Sequence, residues 1–86
     1  MNKLQHPNAG NDVTTSDTFA TIGGYDGKEN KCLWSLVEKP AGSYPVIEKP
    51  DESITHVSNL TIQGSYLFRK TSIYNGSSDE VMIIKK

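Results

Sequence analysis

The stretch that most restricts what this chain can become is Asn59 to Arg69, reading NLTIQGSYLFR. Leu60 stands four residues before Gly64, Tyr66 follows two residues later, and Phe68 comes next at strand period. A leucine, a turn glycine and a tyrosine opening a strand form the pattern of a tyrosine corner. In such a corner the phenol ring packs inside a β-sandwich. Its hydroxyl bonds backbone a few residues upstream, tying the end of one strand to the start of another in the facing sheet.

The remaining segments read as strands arranged around that corner. TFATI (18–22) is β-branched and alternating, with Phe19 and Thr21 on one face and Ala20 and Ile22 on the other, and Gly23-Gly24 stop it. KCLWSLV (31–37) is the most apolar run; Cys32, Trp34 and Leu36 share one face, and Pro40 closes it. Residues 38–53 hold Pro40, Gly42, Pro45 and Pro50, which forbid a central strand and suit a crossing between sheets. ITHVSNL (54–60) runs into the corner. Asn75-Gly76 signals a hairpin before a last strand over 79–85. Residues 1–12 read as a polar lead-in and 13–86 as one β-sandwich domain of about seven strands. The expected core is Phe19, Trp34, Leu36, Val57, Leu60, Tyr66, Phe68, Val81 and Ile83.

Beyond Phe68 the inward face of its strand would carry Lys70 and Ser72, while Ile73 and Tyr74 stand side by side. This predicts a bulge or a strand end near Lys70 to Ser72. Both residues buried in an unbroken ladder would contradict it.

The bulk numbers exclude several classes. Eighty-six residues make one small domain with a modest core. Nine basic against ten acidic residues give a net charge of −1, which does not suit a general nucleic-acid or anionic-membrane surface. One cysteine, Cys32, permits neither an intrachain disulfide nor a cysteine-based metal site. No run approaches the roughly 20 apolar residues of a membrane helix. No apolar leader core follows Met1. Either the protein is cytosolic or the chain is a segment of a longer exported protein.

Taken together, these residues resemble the PKD-like, immunoglobulin-type β-sandwich modules of surface and secreted proteins. The resemblance rests on Ala9-Gly10-Asn11-Asp12 at the opening, Gly23-Gly24 and Asp26-Gly27, and Leu33-Trp34-Ser35-Leu36-Val37 with the proline turn after it. It continues through Leu60, Gly64, Tyr66 and Phe68 to the closing strand at Asp79-Glu80-Val81. Lys39-Pro40-Ala41-Gly42 departs from the family's Gly-Pro-x-Gly order. The resemblance implies an extracellular or cell-surface location, often bacterial, and a spacer or adhesive role beside neighbouring domains, which favours the exported segment.

No residue set reads as catalytic. His6 and His56 lie in the lead-in and on a strand, and no nucleophile elbow is present. Asp51-Glu52 and Asp79-Glu80 are adjacent pairs, which a strand sends to opposite faces. The expectation is therefore no enzyme and no cofactor. The weaker binding candidates are Asp12, Asp26 and Asp79 for calcium through loops at one pole, and Tyr25, Tyr44 and Tyr74 for glycan stacking. Met82 and Ile84 need a cover, from a partner or from Leu33 or Val37. Asn59-Leu60-Thr61 and Asn75-Gly76-Ser77 match the N-x-S/T acceptor pattern.

Overall fold

The computed structural model describes residues 7–25, 31–74 and 76–86. It contains seven strands: β1 (Val13–Thr15), β2 (Ala20–Gly23), β3 (Cys32–Glu38), β4 (Val46–Ile47), β5 (Ile54–Ser58), β6 (Gly64–Ser72) and β7 (Ser78–Lys85). They form two stacked sheets, a four-stranded one in the order β1-β7-β6-β3 and a three-stranded one in the order β2-β5-β4. β1 runs parallel to β7, and the other pairings are antiparallel. Sequential strands change sheet at β1–β2, β2–β3, β3–β4 and β5–β6, so both layers need each other to bury their inner faces.

The core between the sheets is Ala9, Ala20, Ile22, Trp34, Val57, Leu60, Tyr66, Phe68, Val81 and Ile83. β6 is its spine: Tyr66, Phe68, Lys70 and Ser72 point inward in strict alternation. β3 lies along one side of it and β7 along the other. Between β5 and β6 the Tyr66 hydroxyl donates to the Ile62 carbonyl at 2.7 Å and accepts from the Ile62 amide at 3.2 Å. The ring itself is fully buried. That is the tyrosine corner, closed in both directions. Gly64 opens β6 at φ 139°, where a Cβ would come within 2.8 Å of the Pro40 ring, so the crossing after β3 and the corner are packed backbone to side chain.

The structure corrects three sequence expectations. The first concerns Lys70 and Ser72. β6 has no bulge or break there; its register with β3 is continuous from Phe68 to Ser72, and with β7 from Gly64 to Thr71. Both side chains are buried in that ladder. The irregularity sits on β3 instead, between Leu36 and Glu38. The alternating inward face therefore continues past Phe68, with a lysine occupying a core position.

The second correction is Phe19, which is 57% exposed. Both faces of TFATI carry one apolar side chain of useful size, so the pattern alone leaves the phase of β2 open. The packed sheet takes Ala20 and Ile22 inward, into one cluster with Trp34, Tyr66 and Phe68. The third is Leu36, on the expected face of β3 but 36% exposed. It lies at the register shift, toward the end of the strand, and the strands of the facing sheet are only two to five residues long, so the sandwich thins out there.

The packed unit also begins before Val13. Pro7 and Ala9 are buried, and the Ala9 carbonyl accepts the Gly23 amide at 3.0 Å. At the far side of β3, the Trp34 amide donates to the Pro50 carbonyl at 2.8 Å and the Trp34 Nε1 to the Glu52 carbonyl at 2.9 Å. The turn after Lys49 therefore folds over that border of the four-stranded sheet.

Candidate functional site

Two poles follow from the topology. β7 begins at a first pole, where Asp79 lies opposite Lys70, and ends at a second, where Lys85 lies opposite Gly64. The first pole holds the only charged side chain buried in the core of the described residues, Lys70. Its Nζ donates to the Asn8 carbonyl at 2.8 Å and the Gly24 carbonyl at 3.0 Å, and lies 5.3 Å from the centre of the Trp34 ring. An ammonium in such a place needs acceptors for its protons, and the two carbonyls and the ring face supply them. Asp79, beside it, accepts the Ala9 amide at 2.8 Å. Lys70 and Asp79 together fasten residues 8–9 to the sheet. The same lysine links that segment to the end of β2 through Gly24.

Of the calcium candidates, Asp12 and Asp79 do not converge. Asp12 accepts the Met82 amide at 3.0 Å, three residues along β7 from Asp79, which corresponds to about 10 Å of strand. Asp26 lies outside the described residues. Among the described residues no three metal-ligating side chains cluster.

The tyrosine candidates separate as well. Tyr25 follows Gly24, and Tyr74 follows the end of β6, so both stand at the first pole. Tyr44 stands at the second, where its carbonyl accepts the Asn59 side-chain amide at 2.8 Å. All three rings are exposed. One face of Tyr44 is occupied by the Lys39 ammonium, 4.6 Å from the ring centre. His56 sits on the solvent face of β5, its Nδ1 2.8 Å from the Thr21 hydroxyl; His6 lies outside the described residues.

The outer faces of both sheets carry apolar side chains. On the four-stranded sheet Met82 lies opposite Leu67, and Ile84 lies between Ser65 and Thr14. These neighbours half-bury Met82 and Ile84, while Leu33 is paired elsewhere, with Thr71. Beside them Arg69 and Glu80 form an exposed ion pair at 2.6 Å, a contact that contributes well under about 1 kcal/mol in water. On the three-stranded sheet Phe19, Val46 and Ile54 face solvent. Sequence reasoning missed the burial of Lys70 and Ala9: the Lys70 ammonium is held by carbonyls 62 and 46 positions away, and the Ala9 amide by Asp79, 70 positions away.

Comparison with protein-family models found no match, nor did comparison with curated protein sequences. Solved structures do match in three dimensions. The solution structure of the PKD domain from the KIAA 1837 protein superimposes with a TM-score of 0.72 at 23% identity, covering 100% of this chain and 90% of that one. The solution structure of the PKD domain (329–428) from human KIAA0319 superimposes with a TM-score of 0.67 at 17% identity, covering 92% and 77%. The chain therefore has an all-β, immunoglobulin-like sandwich fold of the PKD type.

Proposed function

We propose that the protein is a non-catalytic module of a larger exported or cell-surface protein, serving as a spacer and as a surface for neighbouring domains. One observation carries this: the chain enters at one pole and leaves at the other. Residues 8–9 are held at the level of Asp79, whereas the Lys86 amide bonds the Thr15 carbonyl beyond the end of β7. The six steps from Asp79 to Lys85 correspond to about 20 Å of strand. The molecule is a rod, 45 × 18 × 17 Å. Strung in a series, such a unit adds its long axis to the reach of the parent chain. The division of the exposed tyrosines between poles, and the use of Asp12 and Asp79 as backbone acceptors, favour this reading over a glycan or calcium site at one pole.

The test is small-angle scattering on one copy and on a directly linked pair. The expected result is a monomeric pair whose longest dimension grows by nearly one module length. A pair folded side by side, with its longest dimension little changed, would overturn the spacer reading.

A further inference from the structure

The geometry points to Asn59 as an acceptor for N-linked glycosylation, with the attached sugar covering the apolar row beside it. This deepens, and rests on, the reading of the protein as exported. Asn59-Leu60-Thr61 is an intact acceptor triplet, with no proline in the middle. The loop after β5 displays it in an unusual way. Leu60 is fully buried, while Asn59 and Thr61 on either side are exposed. Asn59 is the only non-glycine residue with positive φ among the described ones, at 63°, so the backbone turns its side chain out of the β5 direction. The Thr61 amide bonds the Asn59 carbonyl at 3.0 Å, making a compact turn. The Asn59 Nδ2 donates one bond, to the Tyr44 carbonyl. A primary amide has two such protons, so the bond survives when the other is replaced.

In the reaction, Nδ2 attacks the anomeric carbon of a lipid-diphosphate-linked oligosaccharide. The new bond is Nδ2–C1, the bond from C1 to the diphosphate oxygen breaks, the lipid diphosphate leaves, and Nδ2 gives up one proton to the transferase. No redox partner is needed.

The second observation is what surrounds the triplet. Val46 is paired with Ser58, the residue before Asn59. The Leu60 amide bonds the Thr18 carbonyl at 2.9 Å, which brings Phe19 to the same end of the small sheet. Phe19, Tyr44 and Val46 are 57%, 71% and 49% exposed. Three large apolar or aromatic side chains thus stand exposed at the same end of the small sheet as one acceptor amide, Tyr44 with one ring face free of the Lys39 ammonium. A pyranose has an apolar face of its own, made of axial C–H groups, and the first sugars on Nδ2 lie within reach of these side chains.

Cell-free translation with rough microsomes, using the chain behind a cleavable leader, tests this. Leader cleavage reports entry into the lumen, and an endoglycosidase-sensitive mobility shift reports the sugar. The expected result is one shift that disappears in Asn59→Gln and Thr61→Ala but persists in Thr61→Ser and in Asn75→Gln. Thr61→Ala leaves the positive-φ position untouched, so loss of its shift is not a folding artefact of Asn59→Gln. Entry without a shift, or a shift that depends on Asn75 alone, overturns the proposal and leaves the export reading standing. Failure to enter behind a leader overturns the export reading and the proposal with it. Enzymatic removal of the sugar from folded protein should raise binding of an apolar dye, and Phe19→Ser should suppress that rise. Unchanged dye binding refutes the covering role.

Discussion

Lys70→Met asks whether the buried ammonium stabilises the fold or merely tolerates its place. The replacement keeps a flexible stem of similar length and removes the charge. Two charge-assisted bonds vanish, to Asn8 and Gly24, together with the contact to the Trp34 ring. Bonds to charged donors contribute roughly 1.5–3 kcal/mol each, so the gross loss is about 3–6 kcal/mol. Against it stands the desolvation of an ammonium, itself several kcal/mol, which methionine does not suffer. The two carbonyls are only partly buried, and water can take over some of the lost bonding. The expected net loss is about 2 kcal/mol, or a fall in melting temperature of roughly 8–16 °C for a domain of this size. Lys70→Ala also leaves a hole in the core and should cost at least about 2 kcal/mol more. Trp34, the chain's one tryptophan, lies against the perturbed group and reports unfolding in urea by its fluorescence. The slope of the transition should stay constant while its midpoint falls. A methionine variant as stable as the parent, or more so, would refute the reasoning. The lysine would then be a burden carried for some other purpose.

Three further outcomes are expected. Tyr66→Phe strips the Ile62 amide and carbonyl of a shared partner inside the corner, and should cost about 1–3 kcal/mol in urea unfolding; no loss would mean that the corner bond is dispensable. Phe68→Ala should cost about 3–5 kcal/mol, a large part of the total for so small a domain, and a stably folded variant within about 1 kcal/mol of the parent would place the core elsewhere. Adding millimolar calcium should leave the melting temperature unchanged and give no heat in calorimetry; a clear upward shift would restore a loop-bound cation to consideration.

The corner was legible because its parts are close in the chain: Leu60, Gly64, Tyr66 and Phe68 fall within nine positions, and each has one structural use. Trp34 was legible for a similar reason, an indole in the middle of the most apolar run. Phe19 was not, because β2 is amphipathic in neither phase; the partner sheet, not the strand, chooses which face is wet. Lys70 failed differently. Hydropathy assigns lysine to solvent, and the two carbonyls that make its burial tolerable come from residues 62 and 46 positions away. Ala9 hid in a polar segment held by Asp79 and Lys70, long-range bonds that composition does not encode. Among the weaker candidates, the separation of Tyr44 from Tyr25 and Tyr74 is a property of strand order. Spacing along the chain could not have revealed it.

Were the protein one of a series of modules, as proposed above, the turn that carries Pro50 would have a consequence. Modules strung on one polypeptide sit near their own copies at very high local concentration, where an open β-border invites zippering into fibrils. On the border of β3 away from β6, the Pro50 carbonyl has already taken the Trp34 amide. The indole nitrogen is satisfied one turn further on, by Glu52. The tryptophan that fills the core therefore also closes one position of that border to a further strand.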